Sequence, residues 1–164
     1  MTKVLIIGAT GVVGQRLVRH LAQRAALDIY VGSRSYQKAA GVVAALPDAN
    51  AHLFPVAVDC CVNLKACLTK IRPLIVVDCS GPFQGAGYNT AKAVIASGAH
   101  LIALADARDY LAGFADALDD AARANRVCAV TGASSTPTLS TFVARMLTEG
   151  WQAVETIDIC ITPG

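Results

Sequence analysis

A chain of 164 residues, 54% of them hydrophobic and 16% charged, is long enough for one domain with a substantial core. Its net charge of +2 includes no basic block, which argues against nucleic acid or an anionic membrane surface as partner. No apolar run approaches the ~18 residues that cross a bilayer. Apolar runs instead alternate with helical patterns from end to end. Strands are predicted at 3–7, 28–32, 53–58, 74–79, 100–104 and 127–131, and helices at 12–24, 36–45, 63–70, 87–97, 113–125 and 137–148. Such alternation implies βαβ units, a parallel sheet and right-handed crossovers. Abundant alanine and few aromatics suit a sheet covered by helices on both faces. Six strands make two βαβαβ halves, giving the expectation of an α/β fold of Rossmann type, a doubly wound parallel sheet in the order 3-2-1-4-5-6.

Ser97-Gly98 closes one helix with a glycine just past its end. Thr136-Pro137 opens another, threonine placed to cap and proline at the first helical position. From Thr156 the pattern changes: Ile157, Ile159 and Ile161 alternate with Asp158, Cys160 and Thr162, the signature of a half-exposed strand. Residues 1–150 are therefore assigned to the sheet domain, and 151–164 to an extra edge strand or the start of a second domain. Pairing of that strand with its mate in a second copy would give a homodimer. The six cysteines (Cys60, Cys61, Cys67, Cys79, Cys128 and Cys160) form no zinc-type pairs and read as reduced, buried thiols. With a start that reads as strand and turn rather than signal peptide, a cytoplasmic location is expected. Cys60-Cys61 stands apart, because it follows a strand on the side where ligands bind.

The residues with chemistry cluster after the strands. Val4-Leu5-Ile6-Ile7 runs into Gly8-Ala9-Thr10-Gly11-Val12-Val13-Gly14, a strand, a glycine-rich turn and the start of a helix. Gly8 allows the tight turn, Gly11 lets the backbone approach a pyrophosphate, and Gly14 lets the helix lie close to the sheet. The helix's free N–H groups and positive dipole end favour phosphates, so Thr10, Val12 and Val13 join the predicted dinucleotide site. After strand 2 an NAD site places an acid for the ribose hydroxyls, and here stand Ser33 and Arg34. Arg34 offers a planar fork of donors suited to the 2′-phosphate of NADP, and Lys38 adds charge on the same helical face. NADP is therefore the expected cofactor, with NAD the alternative. Asp59 after strand 3 reads either as an acceptor for the adenine amino group or as a turn residue. Ser80, Gly81, Pro82 and Phe83 after strand 4 form a rigid turn placed under the pyrophosphate and nicotinamide ribose. Gly132-Ala133-Ser134-Ser135-Thr136 reaches the same crevice, its hydroxyls serving either the ligand or the helix cap. Asp106 to Asp109 lie on the side of a substrate. Tyr88 and Lys92 have the Tyr-x-x-x-Lys spacing of short-chain dehydrogenases, but after strand 4 rather than strand 5, and are read as a coincidence. His100 reads as structural, and no metal-ligand spacing occurs.

In these motifs the chain resembles the N-terminal NAD(P)-binding domain of the saccharopine dehydrogenase-like oxidoreductases. The resemblance runs from Gly8-Ala9-Thr10-Gly11 through Gly32-Ser33-Arg34, Asp78-Cys79-Ser80-Gly81-Pro82-Phe83, Ser97-Gly98-Ala99-His100 and Asp106-Ala107-Arg108 to Gly132-Ala133-Ser134-Ser135-Thr136-Pro137. One departure is Ala103, where family members commonly carry aspartate. The resemblance implies hydride transfer between NADP(H) and a small-molecule substrate, with a further α/β domain supplying much of the substrate site and the catalytic residues. The alternative is a stand-alone NADP-binding or redox-sensing module without turnover.

Overall fold

The structure is a computed structural model, and it describes residues 1–160. Its six strands are β1 (Thr2–Ile7), β2 (Leu27–Ser33), β3 (His52–Ala57), β4 (Ile75–Asp78), β5 (His100–Ala103) and β6 (Ala129–Val130). All pair in parallel, in the order β3-β2-β1-β4-β5-β6. The chain starts in the middle, winds outward to β3, then returns to β4 beside β1 and winds the other way. Register sets the ends of the strands level: Ile7 lies opposite Gly32 on one side and Asp78 on the other. The turns after β1, β2 and β4 therefore leave the sheet together, which is what creates a site.

The strands form because their residues are apolar on both faces. Val4, Leu5, Ile6 and Ile7 are all buried, each aliphatic side chain worth about 1.5–3 kcal/mol of burial. Leu5, Val76 and Leu101 face one core with Leu64, Leu68, Val94 and Leu118, while Ile6, Ile29, Val31 and Val77 face the other with Val18. Helices α1 (Val12–Leu21) and α2 (Tyr36–Ala44) cover the second face. On the first lie α3 (Leu64–Ile71), α4 (Asn89–Ala96) and α6 (Phe114–Ala124), with the single-turn α5 (Arg108–Ala112) between β5 and α6. Phe114, Leu118 and Ala122 form the buried stripe of α6 at the expected helical spacing. His100 accepts the Cys128 amide at 2.9 Å through Nδ1, the structural role its position suggested.

Four expectations are corrected. The predicted helix 137–148 divides into an irregular turn over Ser135–Leu139 and helix α7 (Ser140–Leu147). Thr136 does not cap it: its backbone is extended, and no side chain caps the turn. The alternating segment is no strand over 156–160, whose residues are exposed and unpaired, while Ile161 and Thr162 lie outside the described residues. Alternation marks which face a strand would bury, but a strand also needs a neighbour's backbone, and β6 offers an edge only two residues long. The cysteines, finally, are all free but none is fully buried: Cys60, Cys67 and Cys79 are half-buried, and Cys61, Cys128 and Cys160 are exposed.

Candidate functional site

The turn after β1 is closed by the Gly11 amide on the Gly8 carbonyl at 3.0 Å and tied to β2 by the Ala9 amide on the Gly32 carbonyl at 2.9 Å. Gly8 has φ +73°, and a Cβ there would meet the Cys79 carbonyl oxygen at 2.6 Å. A Cβ on Gly14 would strike the Gly8 carbonyl and the Ala9 backbone, so α1 reaches this close only with glycine. Gly11 caps α1 without a side-chain partner, which leaves the first amides of the helix free for a ligand. Thr10 Oγ1 and Ser33 Oγ, 3.1 Å apart, bridge the glycine turn to the end of β2.

Beyond β2 the chain turns into α2 with Ser35 as N-cap, its hydroxyl accepting the Lys38 amide at 3.3 Å. The two ion pairs among the described residues are His52–Asp28 and Arg123–Asp119, so the exposed Arg34 and Lys38 carry no carboxylate partner there. Asp28, at the far end of β2, is engaged by His52 at 3.1 Å. Asp59 behaves as a turn residue: its Oδ1 accepts the Cys61 amide at 2.8 Å and its own amide donates to Asn63 Oδ1 at 2.7 Å. After β4, Asp78 Oδ1 accepts both the amide and the hydroxyl of Ser80, at 2.9 and 2.6 Å, and fixes the start of the Ser80-Gly81-Pro82 turn. Burial, then the Asp78 charge, pushes the Cys79 thiol up to about 11 and raises Cys60 as well.

These turns enclose a cleft of about 770 Å³. Gly8, Thr10, Gly11, Ser33, Arg34, Lys38, Asp59, Ser80, Gly81 and Pro82, all candidate cofactor residues from the sequence, line it. A second cleft of about 750 Å³ adjoins it and shares Cys79, Gly81 and Pro82. Val13 and Phe83 line this one, as do Ala133, Ser134 and Ser135 of the loop after β6. Of the predicted site residues, Val12 and Gly14 line neither: Val12 is 71% exposed on the first turn of α1, and Gly14 is a packing residue. Ser134 and Thr138 donate their hydroxyls to the carbonyls of Thr136 and Gly132, so the loop after β6 spends them on its own shape.

Sequence reasoning missed Ser35, Val58 and Val62 in the first cleft and Arg16 in the second. Ser35 carried a signal, a serine three residues before the amide it caps; the valines, with no polar group to offer a ligand, carried none. Tyr88 is half-buried against the core. Its hydroxyl donates to the Tyr110 carbonyl at 2.9 Å and its ring packs on Tyr110 and Phe114, while Lys92 is exposed. Asp106 lines the second cleft, where Gln84 donates to it at 3.5 Å. Among the described residues no cluster of three His, Cys, Asp or Glu side chains could hold a metal.

Two clefts joined across a glycine turn, open helix amides at the junction and unpaired cations at one end fit a dinucleotide: two nucleoside halves with the pyrophosphate between them. An open parallel sheet carrying this cleft where its strand order reverses defines the class, a doubly wound dinucleotide-binding domain of dehydrogenase/reductase type. Within that class the chain belongs to the saccharopine dehydrogenase NADP-binding domain family, whose model matches residues 4–130. None of the curated proteins matches the chain.

Among solved structures the fold is similar to a beta-ketoacyl-ACP reductase from Bacteroides thetaiotaomicron, at TM-score 0.59 and 15% identity over 80% of this chain and 75% of that one. A yeast methylglyoxal/isovaleraldehyde reductase, solved with NADPH, gives TM-score 0.56 and 14% identity over 79% of this chain and 53% of that one. A short-chain dehydrogenase/reductase family oxidoreductase from Burkholderia thailandensis gives 0.53 and 18%, over 90% and 75%. The chain spans 36% of the length of another neighbour, the enzyme WbmG from Bordetella bronchiseptica. No helix among the described residues is long and apolar enough to cross a membrane.

Proposed function

We propose that this chain binds NADP(H) in preference to NAD(H) and acts as the cofactor domain of an oxidoreductase that works on a small-molecule substrate. One observation carries the cofactor choice. The end of β2, where an acid would hold the ribose hydroxyls of NAD, instead presents Ser33, Arg34 and, on the first turn of α2, Lys38, all lining the first cleft. Arg34 is read as holding the 2′-phosphate through paired N–H donors, with Lys38 as a second charge. The open amides at the start of α1 hold the pyrophosphate, and the Ser80-Gly81-Pro82 turn supports the nicotinamide ribose. When bound, the dinucleotide supplies the hydride donor or acceptor. The protein's own contribution is to orient it along the two clefts, with Phe83, Leu104 and Val13 excluding water from the second.

Calorimetric titration of NADPH and NADH into the wild-type chain and Arg34→Ala tests the reading. Loss of one charge-assisted phosphate contact costs on the order of 1.5–3 kcal/mol, so NADPH affinity is expected to fall at least about tenfold. NADH affinity is expected to stay within about twofold, because NADH lacks the phosphate. Equal NADPH affinity in the two proteins would remove Arg34 from the site.

A further inference from the structure

Asp78 is the one charged side chain among the buried residues described, 4% exposed at the last position of β4. Neither ion pair among the described residues involves it. Its Oδ1 accepts two hydrogen bonds from Ser80, so the charge is held by one neighbour's dipoles and by no cation. A carboxylate removed from water without a counter-charge is costly to keep. Its place in the fold sets it beside the clefts. Asp78 lies level with the end of β1, where the strand order reverses, and the next residue, Cys79, lines both clefts. Its field reaches the cleft wall, for it helps raise the thiols of Cys60 and Cys79. Asp78 itself lines neither cleft; the charged groups that do line the second, Arg16 and Asp106, are exposed, opposite in sign and screened by water.

We propose that Asp78 sets the balance between the two redox states of the cofactor: the uncompensated carboxylate beneath the β4 turn favours the positively charged oxidised nicotinamide ring over the neutral reduced ring. The inference rests on the cofactor reading above. The oxidised and reduced dinucleotides share adenosine, phosphates and riboses, and differ by one positive charge at the ring. A charge under the turn therefore acts on the difference between two affinities, whereas the shape of the turn acts on both alike. Asp78 is almost wholly removed from solvent, so its field is weakly screened.

The test is calorimetric titration of NADP+ and NADPH into the wild-type chain and Asp78→Asn, since asparagine keeps the acceptor that Ser80 uses and deletes the charge. The ratio of the two affinities is expected to shift toward NADPH by at least about threefold, whatever happens to the absolute values. Should the asparagine variant not fold, Asp78→Ser removes the same charge and gives the same readout. Ser80→Ala, which disturbs the turn but keeps the charge, is expected to change both affinities by one common factor. An unchanged ratio in a variant that binds both forms overturns the inference and leaves the cofactor reading standing. A wild-type chain that binds neither form overturns both.

Discussion

Cys79 shows how tightly single positions are shared here. Its carbonyl is where a side chain on Gly8 would collide, the residue lines both clefts, and the one before it is the buried Asp78. Burial and that charge raise the thiol from its ordinary 9.0 to about 11, and the Tyr110 hydroxyl from 10.0 to about 12, in the latter case with Tyr88 adding to the effect. Both groups are neutral when protonated, so a raised value means that the folded state holds the proton longer than the unfolded state does. Their contribution to stability is full below the unfolded values and lost as pH rises, through about 9 to 11 for Cys79 and 10 to 12 for Tyr110. The urea midpoint of the wild-type chain is therefore expected to fall between about pH 8 and pH 10.5, and to fall less in Cys79→Ala. Equal losses in the two proteins would remove Cys79 from the effect. At this scale the sequence was readable where chemistry is local. Arg34 stood out because an acid was missing beside it, and Gly8 and Gly14 because only glycine closes such a turn. Asp78 carries no such local signal, since burial and the lack of a counter-ion depend on the whole sheet.

At the scale of elements, legibility follows periodicity. The strands from β1 to β5 were readable as apolar runs, and α6 from Phe114, Leu118 and Ala122 on one stripe. The five residues of α5 are too few to show a period, and β6 keeps only two of its five predicted residues because pairing to β5 stops there. The contrast between α6 and α7 gives a direct test. Leu118 is 2% exposed, whereas α7 buries none of its residues. Leu118→Ala is expected to cost about 2–5 kcal/mol in urea denaturation, and Phe142→Ala on α7 less than about 0.5 kcal/mol in the isolated chain. A large loss from Phe142→Ala at protein concentrations low enough to keep the chain monomeric would mean that α7 packs against its own sheet.

For the molecule as a whole, the longest run of exposed apolar side chains lies on α7 and the segment that follows it. Leu139, Phe142, Val143, Met146 and Leu147 follow one another at helical spacing, each between 43% and 72% exposed, and Ile157 and Ile159 of the following segment are exposed beside them. Between α7 and that segment lies a groove of about 510 Å³. An apolar stripe of this extent is uncommon on a protein that remains alone in solution, and a net charge of +2 offers little repulsion against association. The homodimer expected from the sequence had rested on pairing of the segment after Thr156, which forms no strand over 156–160. We propose that self-association instead runs through α7, two copies packing their stripes across a two-fold axis. Light scattering separates the two routes. If α7 is the interface, the dimer is expected both in the full chain and in one ending at Gly150, and Phe142→Ser combined with Met146→Ser is expected to give a monomer. A dimer lost on shortening to Gly150 would return the interface to the terminal segment. A monomer in every case would end the dimer proposal and leave the stripe to a different partner.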